Sequence, residues 1–223
     1  MNNEIILKTE KLNKIYLRGE EKVWALKDID LTIKRGEFVS ILGPSGSGKT
    51  TLLNLLSGFD KPTSGKIIFL NKDISLLEEK ELQKIRSKYI GFIFQTFLLF
   101  PNLTVYENIV LPFYFNKKKI NKEKIYEIIE KLSLTHRLKH RPSQLSGGEQ
   151  QRVAIARALV IEPLVIFADE PTGNLDSENA FNIFKIFENL SKEGYTLVVV
   201  THNWELISKF NVRKINLKDG RII

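Results

Sequence analysis

The chain has 223 residues, 43% of them hydrophobic, which is enough for one large domain with a substantial core. It contains no cysteine, which excludes disulfides and thiolate metal sites, and it has no run of 18 apolar residues that could cross a membrane as a helix. The net charge of +8 comes from 34 basic and 26 acidic residues; apart from Lys117, Lys118 and Lys119 the lysines are scattered, so the charge reads as solvated surface rather than a nucleic-acid footprint.

In chain order, the opening MNNEIILKTEKLNK lacks the apolar core and cleavage site of a signal peptide, and the cytoplasm is the expected compartment. Residues 4–9 predict a strand, followed by a polar turn at Leu17-Arg18-Gly19-Glu20. Ala25 to Ile33 alternates apolar and polar residues, the pattern of a half-exposed strand. Gly36 to Leu42 is a short apolar run of the kind that forms a buried strand, and Thr50 to Phe59 carries leucines at helical spacing. Between them stands GPSGSGKTT, residues 43–51, which fits G-x-x-x-x-G-K-[ST] in the strand-then-helix context that this motif requires. In such a loop successive N–H groups form a nest for oxyanions, to which the helix N-terminus adds partial positive charge. Gly46 and Gly48 allow close approach of the chain, Lys49 supplies a mobile cation for phosphate oxygens, and Thr50 supplies a hydroxyl for Mg²⁺.

Lys61 to Gly65 is a strong turn signal before a strand at 66–70. A charged helix is predicted over 76–87 and a buried strand over 89–94, ending at Gln95. From Glu107 to Leu159 nothing resembles a strand, and 122–132 is an amphipathic helix, so a helical insertion interrupts an α/β domain. LVIFADE, residues 164–170, restores an apolar strand with two carboxylates at its C-terminal end, where open α/β sheets bind ligands. Asp169 is read as the Mg²⁺ group and Glu170 as the residue that polarises a water for attack on the γ-phosphate. LSGGEQQ, residues 145–151, opens a helix with Ser146 as N-cap and Glu149 completing a capping box. The same start is an anion site by its geometry, redundant beside Lys49 unless a second copy of the chain uses it. A helix at 179–190, a strand at 196–202 and the closing INLKDGRII complete the core, while His136 and His140 read as solvated surface.

The phosphate loop, LSGGEQQ, LVIFADE, Asn174-Leu175-Asp176 and His202, in that order, resemble an ABC-transporter ATPase subunit over nearly the whole chain. The resemblance implies a P-loop NTPase (RecA-like) α/β core with an antiparallel β subdomain and an inserted α-helical subdomain. Residues 1–95 and 160–223 would form the nucleotide-binding core and 96–159 the helical part. It implies ATP and Mg²⁺, with Gly43, Pro44, Ser45, Gly46, Ser47, Gly48, Lys49, Thr50 and Thr51 around the phosphates and Tyr16 stacked on adenine. Gln95 would touch Mg²⁺ beside Thr50 and Asp169; Ser146, Gly147, Gly148 and Glu149 would close on ATP held by a second subunit; Asp176 would organise that interface. Glu170, His202 and Lys49 would be the catalytic groups. Asn203 departs from the family's usual Asp, which puts local positioning in doubt but removes no group that touches the nucleotide.

The implied partners are a second copy in the ATP state and an integral membrane permease, with the chain peripheral on the cytoplasmic face of the plasma membrane and no nucleic acid. KPTSGKI, GFIFQ, LTVYENIVLP and ADEPTGNLD resemble the lipoprotein-releasing and macrolide-export ATPases, with a cell-division ATPase of similar length as the alternative. A DNA-acting clamp would separate the phosphate loop from LSGG by long coiled coils, and a paired-cassette translation factor would carry two phosphate loops; neither feature is present. Intact Glu170 and His202 argue against a silent scaffold. TFLLFPNL, residues 96–103, either packs inside the helical part or, through Phe97, Leu99 and Phe100, helps form a groove for a helix of the membrane subunit.

Overall fold

A computed structural model describes residues 4–116 and 121–223, so the cluster Lys117 to Lys119 lies outside the described residues. The chain opens on a long antiparallel hairpin, β1 (Ile5–Arg18) and β2 (Glu21–Lys34), turned at Gly19. After β3 (Phe38–Leu42) come α1 (Lys49–Leu56), β4 (Ser64–Phe69), the short β5 (Lys72–Asp73), α2 (Glu79–Tyr89) and β6 (Ile90–Ile93). The helical stretch holds α3 (Val105–Asn116), α4 (Lys122–Lys131) and α5 (Gly147–Leu159). The chain then returns through β7 (Val165–Asp169), α6 (Ser177–Lys192), β8 (Thr196–Thr201), α7 (Trp204–Ser208), β9 (Arg213–Lys218) and β10 (Arg221–Ile222).

Two sheets result. The first is antiparallel in the order β2-β1-β4-β5; the second runs β10-β9-β3-β8-β7-β6 and is parallel except for β10. The apolar runs of β3, β7 and β8 are continuous because both faces of the parallel sheet are covered. Period-2 alternation then divides each strand between two cores. Val39, Ile41, Phe167, Val198 and Val200 pack with α1 and the antiparallel sheet. Phe38, Leu42, Ile166, Ala168, Leu197 and Val199 pack on the other face with α3, α5 and α6. Register places Leu42 opposite Thr201 and Asp169 opposite Val200, so the ends of β3, β7 and β8 share one edge of the sheet.

Three local expectations are corrected. The charged helix starts at Glu79, with extended Glu78 as its N-cap residue, and Leu76 is left in a solvent-facing turn. A helical turn behind His202, α7, carries no sequence pattern of its own; Asn203 caps it by accepting from the Leu206 N–H at 2.9 Å. That is a job Asn and Asp do about equally well, which answers the doubt over this position. His140 is half-buried rather than solvated: its carbonyl accepts from the Val105 N–H at 2.8 Å and its Nδ1 is buried.

Candidate nucleotide site

The phosphate loop leaves β3 at the ligand edge of the parallel sheet and enters α1. Gly48 stands at the helix start with φ +101°, where a Cβ would lie 2.5 Å from the Ala25 carbonyl oxygen, so a side chain fails there on both conformation and space. The loop is closed by Lys49, whose Nζ donates to the carbonyls of Gly43 (2.9 Å) and Pro44 (3.0 Å) and lies 4.0 Å from Glu170 Oε1. It is also fastened from below, where the Gly220 N–H donates to the Ser47 carbonyl at 3.1 Å.

Across the loop stand the two carboxylates. Thr50 Oγ1 donates to Asp169 Oδ1 at 3.1 Å. Burial pushes the Asp169 carboxyl above its ordinary range; the Thr50 bond opposes this, neighbouring Glu170 adds to it, and Lys49 opposes it. Glu170 follows the strand with φ +45°, and its N–H still donates to the Val200 carbonyl at 3.0 Å. That left-handed turn aims its carboxylate at His202, whose Nδ1 is 2.9 Å from Oε1. The segment after Glu170 holds the Gln95 loop, with Asn174 Nδ2 donating to the Gln95 carbonyl at 3.1 Å.

Gly48, Lys49, Thr50, Glu170 and His202 line one cleft of about 680 Å³, together with Tyr16, Pro44, Ser45, Gly46, Thr51 and Gln95; Asp169 stands behind its wall, bonded to Thr50, and Gly43 and Ser47 lie beneath the loop. Three further lining residues, Val23, Trp24 and Ala25, escaped the sequence reading. Trp24 lies across the hairpin from Ile15, next to Tyr16, and both aromatics are open to solvent, Tyr16 by 40% and Trp24 by 48%. A tryptophan just ahead of an alternating strand was the available signal.

The remaining predicted residues do not line this cleft. Ser146 Oγ accepts from the Glu149 N–H (3.3 Å), and Glu149 Oε2 accepts from the Ser146 N–H (2.8 Å). Arg137 Nε donates to the other Glu149 oxygen at 2.7 Å. Glu149 is buried, which alone would raise its carboxyl; the Ser146 and Arg137 bonds outweigh that and hold it below its ordinary range. Asp176 caps α6, accepting from the Asn179 N–H (2.8 Å) and Nδ2 (2.7 Å). Gly147 faces Leu175, and a Cβ on Gly148 would strike Asn179 Oδ1, so the LSGG turn rests on the segment that carries Asp176.

Residues 96–103 divide between packing and exposure, Phe100 being half exposed, and a separate apolar groove lies nearby. A groove of about 530 Å³ is lined by Phe59, Phe92, Phe94, Leu111, Pro112, Phe115 and Ile161, with Arg86 and Arg157 among its walls. Phe97, Leu99 and Phe100 do not line it: Leu99 packs on the helical core and Phe97 reaches towards Gly147. The backbone between them belongs to Arg157, which donates to the carbonyls of Leu98 (2.6 Å) and Phe97 (2.8 Å).

A phosphate loop and an acid pair at the carboxyl edge of a parallel sheet define a P-loop nucleotide hydrolase. The chain is a member of the ABC transporter family, whose model matches residues 26–173, and it is an ATPase of that family. It is 46% identical to the lipoprotein-releasing system ATP-binding protein LolD of Aquifex aeolicus, over 98% of this chain and 96% of the relative. It is also 46% identical to an ABC transporter ATP-binding protein of Thermotoga maritima, over 94% of this chain and 90% of that one. Among solved structures, the ATP-binding cassette MJ0796, a protein of Methanocaldococcus jannaschii, superposes with a TM-score of 0.87 at 45% identity, covering 97% of this chain and 96% of that one; it is a dimer in a post-hydrolysis state bound to ADP and Pi.

Proposed function

We propose that this chain is the ATP-driven subunit of a membrane complex of the lipoprotein-releasing or drug- and peptide-exporting kind, seated on the cytoplasmic face of the membrane. Two copies sandwich two ATP molecules, each held by the phosphate loop of one copy and the LSGG helix start of the other. The observation that carries the hydrolytic part is the Glu170–His202 contact of 2.9 Å beside Lys49. It puts a carboxylate and an imidazole on the side of the loop where the γ-phosphate would lie. Glu170 orients and deprotonates the attacking water, and His202 holds Glu170 and the γ-phosphate in register. Lys49 exchanges its two loop carbonyls for β- and γ-phosphate oxygens. Gly43 to Thr51 supply N–H groups to the rest of the triphosphate, and Tyr16 stacks on adenine.

The donors present fit Mg²⁺. Thr50 and Asp169 offer a hydroxyl and a carboxylate already 3.1 Å apart, with Gln95 in the same cleft. No cluster of three or more acidic or histidine ligands occurs among the described residues, which suits an ion that takes its other ligands from phosphate and water. When bound, Mg²⁺ supplies charge neutralisation at the β- and γ-phosphates.

The second-copy role of Ser146, Gly147, Gly148 and Glu149 is supported by their absence from the cleft that holds Lys49, and by the dimeric state of MJ0796. Contacts made only with the γ-phosphate in place give ATP the differential affinity that favours closure. The apolar groove beneath α3 is the docking place for a short helix of the permease. The domain division follows the same line: residues 1–95 and 160–223 bind the nucleotide and 96–159 carry the second-copy contact.

Glu170→Gln protein, captured from its native membranes with ATP and Mg²⁺, should bring down a membrane subunit with a large extracytoplasmic domain. Recovery of nucleic acid or ribosomes without one would overturn the transport reading. Phe115, 77% exposed at the groove, tests the docking surface. Phe115→Glu should fold and hydrolyse ATP as the isolated chain does yet lose stimulation by the membrane subunit; full stimulation would place docking elsewhere.

A further inference from the structure

The Tyr16 ring is not a free platform. Its hydroxyl donates to Asp60 Oδ2 at 2.7 Å, across 44 residues of sequence. The other oxygen of Asp60 accepts from Lys14 Nζ at 2.7 Å and from the Lys61 N–H at 2.7 Å. Lys14 Nζ also donates to the Lys61 carbonyl at 2.7 Å and stands 4.8 Å from the centre of the Tyr16 ring, so a cation covers one face of the aromatic. Between these two residues the Ile15 N–H donates to Thr63 Oγ1 at 2.9 Å. Three consecutive residues of β1 are thus tied to the loop that follows α1. The Lys14 side chain is only 12% exposed and that of Asp60 30%, so the pair is better sheltered from solvent than an ordinary surface ion pair. Burial first and Asp60 second raise the Tyr16 hydroxyl to about 12, which keeps it a proton donor at any working pH.

The mechanical consequence lies in α1. Its first residue is Lys49 and its last is Leu56, four residues before Asp60. The phosphate loop and the anchor of the Tyr16 ring therefore lie at opposite ends of α1 and its closing turn, which is tied back to the helix by the Phe59 and Asp60 N–H groups donating to the Asn54 carbonyl (2.8 and 3.2 Å). We propose that Asp60 and Lys14 are positioning residues for the base end of ATP: Asp60 fixes the distance from the aromatic ring to the phosphate loop, and Lys14 occupies one ring face so that the base stacks on the other. This rests on the reading of Tyr16 as the adenine platform. Because every base has a π face, the strut sets affinity rather than base choice. It acts on ground state and transition state alike, so it moves KM and leaves kcat in place.

The test compares ATP with inorganic triphosphate, which fills the phosphate loop without a base. Dissociation constants for both are measured on the full chain with Mg²⁺, with kcat and KM alongside. Tyr16→Ala should weaken ATP by about tenfold, within the range of one lost base stack. Tyr16→Phe should weaken it by about threefold and Asp60→Ala by at least as much, because Asp60→Ala also releases Lys14; the double variant should be no weaker than Asp60→Ala, since the Tyr16–Asp60 bond is common to both. In Asp60→Ala, triphosphate binding and kcat should stay at wild-type values. Normal ATP affinity in Asp60→Ala and Tyr16→Phe, with a loss in Tyr16→Ala, would overturn the strut and keep the platform; normal affinity in Tyr16→Ala would remove the platform itself. Equal loss of triphosphate would mean that Asp60 only holds the fold, and an additive double variant would mean that the two residues act separately. If Asp60→Ala does not fold, Tyr16→Phe still cuts the same bond from the exposed side.

Discussion

Two helix starts in this molecule have opposite designs. α1 begins at left-handed Gly48, with no side chain capping it and no acidic residue in its first turn. α5 begins at Ser146, with a complete capping box, and Glu149 in its first turn is further held by Arg137. Both starts present unpaired N–H groups and the positive end of a helix dipole. In α1 no side chain among the described residues caps them, and Lys49 adds a cation, so the start is open to a triphosphate. In α5 the Glu149 carboxylate already balances the helix start, accepting from the Ser146 N–H and from Arg137. Such a start is stable without an added anion, which suits the proposed contact with a nucleotide held by a second copy.

The comparison breaks first on the catalytic side of the α1 cleft. Glu170→Gln should retain ATP, and with it the paired state, while phosphate release falls by about 10²-fold or more, the usual scale for removing a positioned base. Steady-state phosphate release and size-exclusion chromatography with ATP check both halves; wild-type turnover would remove Glu170 from its role. Gly48→Ala comes next. A left-handed residue meeting a carbonyl at 2.5 Å should cost about 2–3 kcal/mol of stability. The midpoint of urea unfolding should move accordingly, and an unmoved midpoint would mean that the loop opens to accommodate the side chain.

How much of this was legible beforehand follows from locality. β3, β7 and β8 are largely apolar because the parallel sheet is covered on both faces, and the phosphate loop, capping box and acid pair are each local motifs. β1 was readable only at its start, because register shifts around Glu10, Leu12 and Lys14 break its alternation although the pairing continues to Arg18. The groove was expected in 96–103 because that stretch is apolar and follows Gln95. The groove the structure does show is assembled from the turn after α1, α2, β6, α3 and the end of α5, which no local pattern connects. Asp60 is of the same kind: it reaches Tyr16 across 44 residues of sequence.

The smallest expected effect sharpens the contrast from the α5 side. Glu149→Gln keeps the size of the side chain and an oxygen that can accept from the Ser146 N–H, but it removes the charge that faces Arg137 and the helix dipole. A loss of about 1 kcal/mol at pH 7 is expected, the ordinary size of a capping contribution. Because the folded carboxyl titrates below its unfolded value, this contribution is fully present above the unfolded pKa and fades as pH falls through the folded one. The wild-type and Glu149→Gln unfolding free energies should therefore differ at neutral pH and converge in acid, once pH has fallen through the lowered value of the folded carboxyl. A constant gap across that range would mean that the variant acts through packing and not through charge. The same substitution leaves the Ser146 hydroxyl and the N–H groups of Gly147 and Gly148 in place. It should therefore weaken the fold slightly without weakening ATP-dependent pairing, and a variant that lost pairing in proportion to stability would show that the two helix starts are not built for different tasks.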